Sequence, residues 1–216
     1  MEIPDPDEFP TPERYGACSD LAELEWEQFQ KVNSDGGRAE CQGNWPVFDQ
    51  MRLAQFLTWP AELIAAYGSD LLRARSVGRN LVMEKYARMM VTTEPERYAR
   101  ELAPYLPALN DERIALQERI IAIQVAWADE FRAHFPKLGA AMRKLRTAQD
   151  VIGDTSFETY LRGELCTYSE PTLAAYAEFV DLMRANGLNL TQVTVQWAVR
   201  LGGDETLDQA EATQRA

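Results

Sequence analysis

Apolar and polar residues recur along most of this chain with the period of an α-helix. When each residue is rotated by about 100°, the apolar side chains of ten segments gather on one face. No run shows the two-residue alternation of a half-buried strand. The pattern predicts an all-α fold, a single-domain multi-helix bundle of about eight to ten helices. The predicted helices cover residues 20–33, 46–58, 60–77, 79–92, 94–103, 110–135, 137–148, 156–168, 170–186 and 189–201.

Capping residues mark several of the predicted helix starts. Thr93 with Glu96 and Thr155 with Glu158 have the spacing of capping boxes, and Asn110 precedes an acidic first turn. Such side chains accept hydrogen bonds from the free N–H groups of a first turn, so they predict where these helices begin.

Two flanking segments lack the helical pattern. Residues 1–18 contain prolines at positions 4, 6, 10 and 12 and predict a flexible, extended lead. Residues 203–216 predict a polar tail. Residues 19–202 show neither an internal repeat nor a change of composition, so we predict one helical domain there.

Two carboxylates fall on faces that are otherwise apolar. Glu25 lies in the middle of the apolar face of the first predicted helix, and Glu164 lies between Tyr160 and Tyr168 on the eighth. An ionised Glu is costly to bury without a partner. Each carboxylate therefore has a partner inside the fold or lines a site.

The sequence leaves two interpretations open for each carboxylate. Arg52 falls among aromatic residues of the second predicted helix, so a buried Glu25–Arg52 ion pair holding two helices in register is one of them. The other makes Glu25 a general base or a ligand-binding carboxylate whose pKa is raised by burial. Glu164, flanked by two phenols, is either part of a core cluster or an acid/base group.

Further candidates lie in a loop and on one helix face. Two adjacent glycines, Gly36 and Gly37, would let the backbone approach a ligand, and Arg38 could bind a carboxylate or phosphate. The same residues also suit a helix stop followed by a turn. Glu84 and Arg88 share a polar face at i,i+4 spacing, and spacing alone favours a solvated, salt-bridged surface there.

The composition narrows the function classes. The 216 residues carry a formal charge of −12, which repels phosphate backbones, so we expect no nucleic-acid partner. The N-terminus lacks the features of a signal peptide, and the longest apolar run is too short to span a bilayer. Three widely spaced cysteines suit a reducing, cytoplasmic location. His134 lacks the Glu-x-x-His spacing of di-iron sites, so no metal-ligating residue is predicted; an all-carboxylate Mg²⁺ or Mn²⁺ site stays open without an Asp-rich motif to support it, and the cofactor is unknown.

Three stretches together resemble a known family. ELEWEQFQKVNSDGGRAECQGNW, GRNLVMEKYARMM and ETYLRGELCTYSEPTLAAY are similar to the bacterial domain-of-unknown-function family 4125, over about Leu24 to Leu190. The resemblance implies a soluble, bacterial, helical protein, and it favours a site role for Glu84 and Arg88 that spacing did not support. The matching stretches contain Glu25, Gly37, Arg38, Arg79, Glu84, Lys85, Arg88, Arg162 and Glu164.

The leading hypothesis is a cytoplasmic enzyme that acts on a small polar metabolite. Glu25 and Glu164 would be its catalytic acid/base or cation-binding carboxylates, while Arg38, Arg79 and Arg88 would hold an anionic group. Tyr160 and Tyr168 would shape the pocket. The predicted ligand-binding residues are Gly37, Arg38, Arg52, Arg79, Glu84, Arg88, Tyr160 and Tyr168.

The alternative is a non-enzymatic helical protein that binds a ligand or serves as a scaffold, in which the buried charges are structural pairs. Under either hypothesis we expect no nucleic-acid partner and no membrane partner. The sequence does not indicate an oligomeric state. They differ in geometry, because the enzyme requires Glu25, Glu164 and an arginine to converge on one concave pocket.

Overall fold

The computed structural model describes residues 1–32 and 40–215, with backbone alone for residues 40 and 41. The predicted ligand-binding residues Gly37 and Arg38 lie outside the described residues. Within the described part the chain is 72% helical, with eleven α-helices and no strand, so the all-α fold class is confirmed. The helices are α1 (Pro12–Phe29), α2 (Trp45–Phe56), α3 (Ala61–Ser76), α4 (Leu81–Thr93), α5 (Pro95–Arg97), α6 (Asp111–His134), α7 (Pro136–Ala141), α8 (Phe157–Leu165), α9 (Glu170–Ala185), α10 (Leu190–Leu201) and α11 (Leu207–Thr213).

Both flanking segments are more helical than predicted. The extended lead is wrong for residues 12–18, because α1 begins at Pro12 and the Thr11 side chain accepts a hydrogen bond from the Arg14 backbone N–H. Proline fits the first position of a helix, where no N–H partner is needed. The predicted polar tail contains α11, which buries Leu207 and Ala210.

The N-cap hydrogen bonds show which of the predicted helix starts are correct. Asn110 accepts a hydrogen bond from the backbone N–H of Arg113, as predicted. Thr155 is not the cap of α8, because Ser156 beside it accepts from the Thr159 backbone N–H. Thr93 is the last residue of α4 and caps nothing. Both predicted capping boxes lie close to a helix start. In each case the helix begins one residue later, so that Ser156 is the N-cap of α8 and Glu94 is the N-cap of α5.

Two predicted helices are shorter or less regular than expected. The segment 94–103 contains only the short α5, followed by a π-helical turn at Tyr98–Leu102 and a 3₁₀ turn at Ala103–Tyr105. The helix predicted over 137–148 ends at Ala141, and a tight turn that bridges Val151 to Asp154 follows.

A buried aromatic group lies in the core. The rings of Trp59, Tyr67, Tyr168 and Tyr176 are all at most 3% exposed, with neighbouring centroids 5.1 to 6.2 Å apart. Edge-to-face contacts of this kind stabilise aromatic cores beyond simple burial.

Helix α6 contacts α7, α8, α9 and α10. None of the described helices has the length and apolar character needed to cross a bilayer.

Candidate functional site

Four charged side chains from four helices meet inside the protein, and we call them the charge cluster. They are Glu25 of α1, Arg52 of α2, Lys85 of α4 and Glu164 of α8, with exposed fractions of 4, 5, 7 and 3%. Two carboxylates and two cations make the cluster formally neutral. A buried charge is tolerated only when it is paired in this way.

Arg52 joins the two carboxylates. Its Nη2 atom donates to Glu25 Oε1 at 2.7 Å and lies 3.5 Å from Glu164 Oε1, and its Nε atom also contacts the Glu25 carboxylate. The guanidinium lies 4.7 Å from the centre of the Phe56 ring. Tyr67 donates its hydroxyl to Glu25 Oε1 at 2.5 Å. The Glu25–Arg52 pair is therefore present, and the two carboxylates face each other across one arginine.

Glu164 accepts hydrogen bonds at both carboxylate oxygens. Lys85 Nζ donates to Oε2 at 2.7 Å, while Gln55 Nε2 and the Tyr168 hydroxyl donate to Oε1 at 2.9 and 3.0 Å. Gln55 in turn accepts from Arg52 Nη1 at 2.7 Å. The carboxylate is thus held by charged and neutral donors from three other segments of the chain.

This environment sets the protonation of Glu164 and of the two tyrosines that contact the carboxylates. Burial alone would raise the pKa of Glu164, but Lys85 and Arg52 outweigh it and hold that pKa well below the usual range of a carboxyl group. Burial raises the pKa of Tyr67 and of Tyr168, and the neighbouring carboxylates raise both further. At neutral pH Glu164 is an ionised acceptor and both phenols are donors.

The lowered pKa of Glu164 makes its contribution to stability depend on pH. A carboxyl group whose pKa is lower in the folded than in the unfolded state stabilises the fold fully above the unfolded value, about 4.3, and loses this contribution as the pH falls. We compare wild type with Glu164→Gln, whose side chain never ionises. Their difference in unfolding free energy should be constant between about pH 6 and pH 8 and should shrink below about pH 4. A difference that is the same at low and at neutral pH would show that folding does not lower the pKa of Glu164.

Tyr160 and Tyr168 both contact the charge cluster. Lys85 Nζ lies 3.5 Å from the centre of the half-buried Tyr160 ring, and the guanidinium of Arg143 lies 4.8 Å from the same ring. Arg143 itself is exposed. Tyr160 therefore stands between a buried and an exposed cation.

Three other predicted ligand-binding residues lie away from the carboxylates. Arg79 donates from Nε and Nη2 to both oxygens of Glu84, at 2.8 and 2.7 Å, and its side chain is 44% exposed. Arg88 donates from Nη2 to the backbone carbonyl of Pro107 at 2.5 Å. The structure does not bring these three side chains into the charge cluster.

Lys85 of the charge cluster and Tyr67, which binds Glu25, are not among the site residues predicted from the sequence. Lys85 lies three residues after Val82 and four before Met89, both buried, so it shares their face of α4. Tyr67 shares a buried face of α3 with Leu71 in the same way. The spacing signal was available for both, but a lysine or a tyrosine on an apolar stripe does not by itself name its partner.

A cleft of about 320 Å³ opens beside the cluster, and we call it the arginine cleft. It lies between the end of α3, the start of α6 and the turn from α8 to α9. Three arginines, Arg73, Arg79 and Arg113, line it together with two acids, Asp70 and Glu170. The lining residues alone therefore sum to one positive charge, in a chain whose formal charge is −12, and Arg79 among them is already paired with Glu84.

Helix starts add to the positive character of the cleft. Asn110 and Ser169, the N-caps of α6 and α9, both line it. The start of a helix carries roughly half a positive charge. The start of α4 also lies there, but the Gln28 side chain already accepts from the backbone N–H groups of Leu81 and Val82, at 2.7 and 3.3 Å. These two helix starts therefore add partial positive charge to the lining, beside the acidic first turns of α6 and α9.

Arg113 is the most firmly held cation of the cleft. Its Nη2 atom donates to the backbone carbonyls of Leu165 and Tyr168, at 3.0 and 2.5 Å, across the end of α8. Its Nε atom is buried and has no hydrogen-bond partner among the described residues. Arg88, whose Nε is likewise buried and unpartnered within the described part, lies close enough to act on the pKa of Arg113. The guanidinium of Arg113 is therefore anchored at the end of α8.

Tyr168 connects the cleft to the charge cluster. It lines the cleft, and its hydroxyl binds Glu164.

The part of the chain that the structure describes contains no group of three or more His, Cys, Asp or Glu side chains that could hold a metal ion.

The fold and these two features define an all-α multi-helix protein with a neutral buried charge cluster next to a cationic cleft. A family model described as "Protein of unknown function (DUF4125)" matches residues 17–212. The chain belongs to this family, which confirms the resemblance seen in its motifs. Comparisons with curated proteins and with solved structures gave no match.

Proposed function

We propose that this protein binds a small anionic metabolite in the arginine cleft. The observation that carries the proposal is that three arginines line one cleft of a strongly acidic chain. A guanidinium offers paired donors that match the oxygens of a carboxylate or phosphate. The cleft volume also falls within the range of small-molecule sites.

In this proposal the charge cluster is structural. A general base needs a free lone pair within hydrogen-bond reach of its substrate. The oxygens of Glu164 instead contact Lys85, Gln55, Tyr168 and Arg52, and its lowered pKa leaves no proton to donate at neutral pH. These contacts favour the non-enzymatic alternative for the buried charges, in which they hold together the helices that carry the cleft.

Enzymatic turnover of the bound metabolite is the second candidate. Tyr168 favours it, because one side chain both lines the cleft and binds Glu164. The two candidates are separated by following bound anions by NMR over several hours. An enzyme would consume a bound anion, and Tyr168→Phe would stop this while leaving binding intact. A pure binding protein would return the same spectrum throughout.

We also propose a cytoplasmic location for this chain. Cys18 and Cys166 are both free thiols, and burial raises the pKa of the Cys18 thiol to about 11, so little reactive thiolate forms there. Free thiols are typical of a reducing compartment. The partner in this proposal is the metabolite alone, with neither nucleic acid nor membrane.

Replacing Arg73 by Gln tests the proposed binding. Arg73 lines the cleft, is exposed and forms no ion pair among the described residues, so its loss should remove an anion contact without affecting the fold. Because one charge-assisted hydrogen bond contributes about 1.5–3 kcal/mol, we expect the Kd for inorganic phosphate or benzoate to rise at least about tenfold. NMR titration measures the Kd for each anion in the wild type and in Arg73→Gln.

Arg75→Gln is the matched control for this variant. Arg75 is an exposed arginine of the same helix that lies 3.1 Å from Glu27 and does not line the cleft. Arg75→Gln changes the net charge of the chain by the same amount as Arg73→Gln, so any general electrostatic effect is the same in both variants. Equal affinities in wild type and Arg73→Gln, or a loss of the same size in Arg75→Gln, would contradict binding in the arginine cleft.

A further inference from the structure

The arginine cleft has apolar walls as well as charges. Val77 and Leu81 lie on one side, and Pro107 and Leu109 lie on the loop before α6. Val77 is 66% exposed, although it lines a cleft. Covering such a surface with an apolar group is favourable at about 25 cal/mol per Å². An inorganic anion held by the arginines would leave these side chains in water.

Hydrogen bonds hold the backbone on both sides of the apolar walls. The turn after Val77 is closed by a hydrogen bond from the Arg79 backbone N–H to the Ala74 carbonyl at 2.8 Å, with Gly78 at a φ of 74°. On the other side, the Pro107 carbonyl accepts from Arg88. Walls held in this way lose little freedom when a ligand binds, which favours affinity.

From these walls we infer that the ligand is an amphipathic anion, an anionic group attached to a compact apolar body such as one ring or a short alkyl chain. The inference rests on the proposed function, since it assigns the ligand class of the same cleft. A carboxylate and a phosphate share the chemistry that arginine recognises, and the charge of the cleft suits both. The apolar body covers Val77 and Pro107 while the anionic group reaches the arginines.

Five probes test the ligand class by NMR titration of the full chain. Acetate and inorganic phosphate carry the charge alone, benzyl alcohol carries the ring alone, and benzoate and phenyl phosphate carry both. We expect at least one of the last two to bind at least tenfold more tightly than acetate, phosphate and benzyl alcohol. The tighter of the two assigns the anionic group as carboxylate or phosphate.

Val77→Ser tests the apolar wall itself. The variant should raise the Kd of benzoate or phenyl phosphate about five- to tenfold and leave the Kd of acetate and inorganic phosphate unchanged. Val47→Ser is the matched control, because Val47 is 52% exposed on α2 and does not line the cleft. Both valines are exposed, so both variants should fold.

The failures of the two proposals are distinguishable. If inorganic phosphate binds as tightly as phenyl phosphate and Val77→Ser has no effect, the amphipathic ligand is overturned and anion binding in the cleft stands. If none of the four anions binds, the proposed function falls and the ligand class falls with it.

Discussion

Glu164→Gln is expected to lower the free energy of unfolding by about 3–5 kcal/mol at neutral pH. The substitution keeps the size of the side chain but leaves Lys85 and Arg52 buried with one negative charge fewer between them. An unpaired buried charge is much more costly than an unpaired surface charge. Urea denaturation at pH 7 measures the loss, which is a large share of the roughly 5–15 kcal/mol that holds a typical domain folded.

Glu118→Gln provides the comparison for this variant. Glu118 accepts from Arg162 at both oxygens, at 2.6 and 2.9 Å, but this pair is partly exposed, with side-chain exposures of 46% and 26%. Its removal should cost at most about 1 kcal/mol, because solvent screens an exposed pair. A loss below that level for Glu164→Gln, together with weaker anion binding, would reverse the structural assignment and favour catalysis at the charge cluster.

Gly163→Ala is expected to lower the free energy of unfolding by about 2–3 kcal/mol, the second largest effect. A Cβ atom at Gly163 would lie 2.9 Å from the backbone carbonyl oxygen of Lys85 and 2.9 Å from Met89 Cγ. A backbone carbonyl cannot rotate away, so α4 and α8 would have to separate. That separation would lengthen the 2.7 Å contact between Lys85 and Glu164.

Gly16→Ala is the control for this substitution. Gly16 lies inside α1, and a Cβ atom there would have no heavy atom within 4 Å. Alanine is the better helix former by about 1 kcal/mol, so this variant should be neutral or slightly more stable. If chemical denaturation finds the two alanine variants equally stable, the close approach of α4 and α8 at Gly163 does not exist.

Much of the fold could be predicted because a helix leaves a local signal. Asn110 and the acidic residues after it mark the start of α6, and the structure begins that helix at Asp111. The prediction failed where the local signal is ambiguous. Pro12 reads as a break in an acidic, proline-rich lead, yet proline is equally suited to the first turn of a helix, which is where the structure has it.

The charge cluster could be predicted in part. The aromatic residues around Arg52 indicated a buried guanidinium, and the spacing of Glu25 indicated a buried carboxylate, so their pairing followed from the cost of burying either alone. Lys85 as the partner of Glu164 did not follow. Their contact depends on how closely α4 and α8 approach at Gly163, which is a property of tertiary packing.

The arginine cleft could not be predicted from periodicity at all. Its lining comes from the end of α3, the loop before α6 and the turn between α8 and α9, which are far apart in the chain. Arg73 and Arg113 each sit at an ordinary polar position of a helix. Only the fold brings them to one cavity, so no spacing rule in the sequence connects them.

The charge cluster also has a consequence for the order of events in folding. Arg52 and Glu164 are 112 positions apart, and Lys85 and Glu164 are 79 apart, so the cluster closes only after distant parts of the chain have met. Contacts of this kind form late, since long loops must be ordered first. Interactions absent from the transition state slow unfolding while leaving the folding rate almost unchanged. We therefore expect the cluster to slow the unfolding of the native protein more than it speeds folding.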